Sequence, residues 1–138
     1  MKCIKQNYKH FISGMALGVD IIAAEIVLEL KSNHPDITLE CALPCKNQSE
    51  KWNIFQKMKY KRLLASADLV DIPECAYFNG CMKERNYKMV DASSFCIAYF
   101  NGEKLRSGTA QTLRYAEAKG LKLFNTSTLK KDGEGEKN

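Results

Sequence analysis

Nowhere in its 138 residues does the chain carry an apolar run approaching the roughly 18 residues that a membrane-spanning helix requires. Its opening, Met1-Lys2-Cys3-Ile4-Lys5-Gln6-Asn7, lacks the apolar centre of a secretory signal. A cytoplasmic protein without membrane contact is therefore expected. Histidine is scarce, and none of the six cysteines belongs to a Cys-x-x-Cys pair. His10 and His34 stand far along the chain from the later cysteines, so the spacing of a zinc site is missing and no metal is expected. Cys41 and Cys96 fall inside apolar runs, where a thiol packs as a small hydrophobe. Two nucleotide-binding signatures, Gly-x-Gly-x-x-Gly and the Walker loop, are absent as well. There is no internal repeat.

What is present is ordinary for a globular chain: 45% hydrophobic and 27% charged residues, enough for one substantial core. Short apolar runs alternate with longer amphipathic ones, the pattern of an α/β domain. Strands are predicted over Tyr8 to Ser13, Ile37 to Leu43, Leu69 to Ile72, Phe95 to Phe100 and Leu121 to Phe124. Helices are predicted over Val19 to Lys31, Glu50 to Ala65, Cys81 to Ala92 and Thr109 to Lys119. In the first helix Val19, Ile22, Ala23, Ile26 and Leu30 share a face at helical spacing and are expected to point inward. In the second, Trp52, Phe55, Met58 and Leu63 or Leu64 are the expected anchors. Phe95 to Phe100 reads as a continuously apolar strand of the kind buried in parallel sheets, and Gly120 as a helix C-cap. One domain over residues 1–125 is expected, followed by a disordered polar tail over 126–138.

Three constellations carry chemistry. In the first, a strand delivers Ser13-Gly14-Met15-Ala16-Leu17-Gly18 to a helix whose unpaired N–H groups and dipole suit a phosphate. A tight turn without a ligand fits the same residues, and Asp20 is equally suited to complement the dipole. In the second, an apolar strand and a loop lead to Ser107-Gly108-Thr109, with Thr112 one turn on; the hydroxyls suit phosphate or a helix cap. Two such turns in one parallel sheet lie at the carboxyl ends of strands, where open α/β sheets bind ligands. In the third, Arg85 and Asn86 begin a helix from which a guanidinium fork can reach a phosphate or base. A surface ion pair with Glu84 or Asp91 is the competing reading. Lys57, Lys59, Lys61 and Arg62 form one basic run, and Lys83, Arg85 and Lys88 another; each suits phosphate contacts or a solvated helix face.

Together these stretches resemble the SLOG superfamily, which joins DNA-processing protein A to the LOG phosphoribohydrolases, and most of all its YpsA-like branch of small bacterial proteins. The residues that carry the resemblance are Phe11-Ile12-Ser13-Gly14-Met15-Ala16-Leu17-Gly18-Val19-Asp20 with Ala23-Ala24-Glu25, then Cys81-Met82-x-x-Arg85-Asn86-x-x-Met89-Val90-Asp91, then Ser107-Gly108-Thr109 with Thr112 and Tyr115-Ala116. The resemblance implies a Rossmann-like three-layer α/β/α fold with a mostly parallel sheet. It also implies a nucleotide pocket lined from Gly14, Gly18, Arg85, Asn86, Gly108 and Thr109. Against the family pattern, the first strand, its Thr-Gly-His-Arg-like turn and the following helix are missing. Exposed strand edges would follow, and with them a homodimer or poor solubility. Ser107 replaces the first glycine of a Gly-Gly-Thr loop. Gln111 and Thr112 stand where the LOG enzymes carry the glutamate used in glycosidic cleavage, and neither can act as general acid or nucleophile there.

The leading expectation is a domain that holds or senses a nucleotide-derived ligand without transforming it, with no catalytic residue and no cofactor. Single-stranded DNA binding, with the basic run from Lys57 and the aromatics Trp52, Phe55 and Tyr60 as contacts, is the first alternative. The net charge of +5 is modest for that role. A phosphoribohydrolase is the second alternative, disfavoured by the missing glutamate.

Overall fold

The computed structural model describes residues 7–99 and 108–125. Ser107, the end of the expected strand at Phe100 and the expected tail over 126–138 lie outside the described residues. The chain divides into two compact units, residues 1–81 and 82–138.

The first unit runs β1 (His10–Ser13), α1 (Val19–Leu30), β2 (Thr38–Ala42), α2 (Ile54–Ser66) and β3 (Leu69–Asp71). The strands form a parallel sheet in the order β1-β2-β3, with Phe11 opposite Leu39, Ser13 opposite Cys41, and Cys41 opposite Val70. Both crossovers step the same way across the sheet, so right-handed connections put α1 and α2 on one face, running side by side. That face holds the core: Met15, Ile21, Ala24, Val27, Leu39, Cys41, Tyr60 and Leu63 are buried together. The opposite face carries a polar group: the His10 ring bonds Thr38 Oγ1 at 2.6 Å and Glu40 Oε1 at 2.8 Å.

Two expected core faces are corrected. On α1 the buried residues are Ile21, Ala24 and Val27, whereas Val19, Ile22, Ala23 and Ile26 are exposed and Leu30 is half-buried. The helix is apolar almost all round, so periodicity alone could not choose its inward face. Its phase is fixed by Asp20, which bonds back into the preceding loop and turns Ile21 toward the sheet. On α2 the inward residues are Tyr60 and the expected Leu63, with Leu64 partly buried against the core, as is Trp52, which precedes the helix. Phe55 and Met58 face outward. Here the phase is set by a capping box: the Asn53 side chain accepts from the Gln56 N–H at 2.8 Å, and Gln56 Oε1 accepts from the Asn53 N–H at 3.0 Å. The helix therefore starts at Ile54, four residues later than predicted from Glu50. Trp52 meets Tyr60 edge-on, ring centroids 4.8 Å apart.

The second unit contains α3 (Cys81–Asp91), which starts at the unit boundary, then β4 (Phe95–Ala98), α4 (Gly108–Ala118) and β5 (Lys122–Asn125). β4 and β5 pair in parallel, Cys96 opposite Leu123. β4 is half-buried rather than fully buried, with Ile97 exposed, because among the described residues it has one paired neighbour. Gly120 closes α4 as expected. At φ 83° it lets its own N–H reach Glu117 O and the Leu121 N–H reach Ala116 O, both at 3.0 Å, the paired bonds of a left-handed C-cap. Across α3 and α4, the Tyr87 and Tyr115 rings stack in parallel with centroids 3.9 Å apart. Lys83 lies over the Tyr87 ring and Lys119 over the Tyr115 ring, 5.6 and 5.4 Å from the centroids.

The whole is α/β and Rossmann-like: helices alternating with strands that pair only in parallel among the described residues. No described helix is long and apolar enough to cross a membrane.

Candidate functional site

The turn between β1 and α1 is held by its own residues. Ser13 ends the strand and is buried; its hydroxyl donates to the Asp20 carbonyl at 2.9 Å and accepts the Met15 N–H at 3.2 Å. The Asp20 carboxylate accepts the Ala16 N–H at 3.3 Å. Met15 adopts a left-handed backbone, φ 61°, and its side chain is wholly buried in the core. For a non-glycine residue this conformation is costly, and here burial of the thioether chain compensates it.

Gly18 is the N-cap of α1, at φ 98° and ψ −128°. Residues with a Cβ rarely reach this region, although a Cβ at Gly18 would meet no atom within 4 Å. The glycine is thus required by the backbone, not by crowding. It brings no side chain to cap the helix, so the first-turn N–H groups receive no side-chain partner from this position. An open helix start at the carboxyl end of a parallel strand suits an anion. The Asp20 carboxylate, committed to Ala16, repels a second negative charge on that side of the loop.

In the second unit, Arg85 is buried and its Nε donates to Asn86 Oδ1 at 2.7 Å. Asp91 accepts the Tyr115 hydroxyl at 2.7 Å and lies 3.6 Å from Lys119. Gly108 and Thr109 form the exposed first residues of α4, and Gly108 has open space around it. Thr112 turns its hydroxyl inward along the helix, donating to the Gly108 carbonyl at 2.8 Å. Ser13, Gly18 and Asp20 are thus joined in one loop, Arg85 and Asn86 in one side-chain pair, and Gly108, Thr109 and Thr112 at one helix start. The sequence reading missed Met15, whose signal was a large apolar residue inside a glycine-bearing turn.

Of the two basic runs, the first is partly neutralised. Lys59 and Arg62 both reach Glu25 on α1, at 3.2 and 3.6 Å. No group of three or more His, Cys, Asp or Glu residues among the described ones is placed to hold a metal. Burial pushes the Cys41 thiol up to about 11, with Glu40 adding to the effect, and burial raises Cys96 as well. Neither is a nucleophile at neutral pH.

A parallel α/β fold with a glycine-opened strand-to-helix turn defines the class: a Rossmann-like domain. Within that class the chain belongs to the YspA SLOG family, whose sequence profile matches residues 1–130. It is 37% identical over 125 residues to the SPbeta prophage-derived protein YoqJ of Bacillus subtilis, covering 82% of this chain and 72% of that protein. It is also similar to UPF0398 proteins: 37% identical over 103 residues to one of Halalkalibacterium halodurans, and 42% over 94 residues to one of Bacillus pumilus. Those matches cover 73% and 67% of this chain, and the chain spans about half the length of each relative, 54% and 50%.

Proposed function

We propose that this domain binds a nucleotide or nucleotide-derived small molecule, holding its phosphate at the start of α1 and acting as a sensor rather than a catalyst. The observation that carries this reading is Gly18. It opens α1 at the carboxyl end of a parallel strand and itself brings no side-chain cap to the helix. In the second unit, taken by itself, the helix start at Gly108 and Thr109 is likewise small and exposed, and Arg85 is buried with its Nε on Asn86.

The non-catalytic part of the reading rests on α4. Gln111 and Thr112 occupy the positions where a cleaving carboxylate would be needed, and the Thr112 hydroxyl is engaged by Gly108. A cytoplasmic setting is part of the same reading, supported by free thiols at Cys41, Cys45, Cys75, Cys81 and Cys96. Calorimetric titration of the folded full chain with nucleoside monophosphates, ADP-ribose and cyclic dinucleotides tests it. Saturable binding of one class without release of free base supports the reading, and no binding across the panel removes it.

A further inference from the structure

We propose that the outward face of α1 and α2 is the contact surface between two copies of this chain. The proposal stands apart from the ligand reading and rests on the exposed apolar side chains of the first unit. On α1, Val19, Ile22 and Ile26 are 42%, 54% and 41% exposed; on α2, Ile54, Phe55 and Met58 are 64%, 78% and 60% exposed.

Helical spacing makes these one surface. Glu25 on α1 reaches Lys59 and Arg62 on α2, which fixes the level at which the two parallel helices meet. Phe55 lies one turn before Lys59 on the same side of α2. Ile22 lies about one turn before Glu25, on the side of α1 nearest α2. Ile22 and Phe55 therefore border one another, and Val19, Ile26, Ile54 and Met58 extend the patch outward along both helices.

The six side chains expose on the order of 600 Å² in all, at the upper end for a monomer's largest apolar patch and close to the roughly 800 Å² per partner of a stable interface. Two of the four cations in the basic run of α2, Lys59 and Arg62, pair with Glu25, so it is the apolar area of the face that points to a second copy as its occupant. An apolar patch that meets its own copy across a twofold axis makes an isologous contact, the commonest kind in soluble oligomers. Two such helix pairs would bury each other's apolar face as a four-helix layer.

Sedimentation of the full chain up to about 100 µM, alongside Phe55→Glu and Ile26→Lys, tests this. The wild type should sediment at twice the 15.6 kDa chain mass. Each substitution should weaken self-association by about tenfold or more, since a charge then sits in the contact. Both sites are exposed in the single chain, so circular dichroism should be unchanged; should either variant unfold, Met58→Glu replaces it with the same expectation. A wild type that stays monomeric throughout, or a dimer that none of these variants weakens, overturns the proposal. So does a monomer that binds an oligonucleotide through Phe55.

Discussion

The Ala16 N–H donates to the Asp20 carboxylate at 3.3 Å, so the turn between β1 and α1 is tied by a residue of the helix it introduces. Ser13 completes the knot from the strand side through the Met15 N–H and the Asp20 carbonyl. Replacing Asp20 by Ala should cost about 1 kcal/mol, the loss of one charged acceptor near a helix start. Ser13→Ala should cost about 1–3 kcal/mol, because it leaves the buried Met15 N–H without its acceptor. Urea denaturation of the two variants checks the order, with Ser13→Ala the more severe.

Two glycines should respond in opposite directions to a single methyl group. Gly18→Ala forces a side chain onto φ 98° with open space around it, so the whole cost is backbone strain, about 1–3 kcal/mol. Gly108→Ala meets no neighbour either, and Gly108 lies in the helix outside the left-handed region. It should stabilise the fold by up to about 1 kcal/mol through the lost freedom of the unfolded chain. Thermal unfolding of both variants reads the signs directly.

Acid should weaken the first unit through Asp68. The Lys31 ammonium beside it, and then the Leu39 N–H at 2.8 Å, hold its carboxyl below the ordinary value of 3.8. A carboxyl lowered in the folded state contributes its stability above the unfolded value and loses it as pH falls through the folded one. The loss should therefore begin below about pH 4. Denaturation midpoints followed downward from pH 6 should fall more steeply for the wild type than for Asp68→Asn.

Thiol reactivity should separate the described cysteines. Cys75 is exposed, whereas Cys41, Cys45 and Cys81 are buried, and burial raises Cys41 and Cys45. Iodoacetamide at neutral pH should label Cys75 rapidly and Cys41 only after unfolding; peptide mapping against time gives the order.

The succession of elements was legible because turn residues bracket each one. Asn33-His34-Pro35-Asp36 ends α1, Pro44 and Pro73 follow strands, and Gly120 stops α4. What the sequence did not disclose was helix phase. In α1 apolar residues surround the helix, so the inward face is decided by Asp20 bonding into the loop, a contact that no periodicity records. In α2 the Asn53 and Gln56 pair carried the missing information, since it fixes the first helical residue and with it every face that follows. The glycine-bearing turn was legible as a turn. Its closure by Ser13 and Asp20 was not, because those bonds depend on backbone angles at Met15 and Gly18.

The central claim is that a phosphate is held at the glycine-opened start of α1, and comparing each bound nucleotide with its dephosphorylated nucleoside by calorimetry tests it most directly. The account predicts that removing the phosphate weakens binding by about 1.5–3 kcal/mol, the range for hydrogen bonds to a charged group. Equal affinity for nucleotide and nucleoside would contradict it.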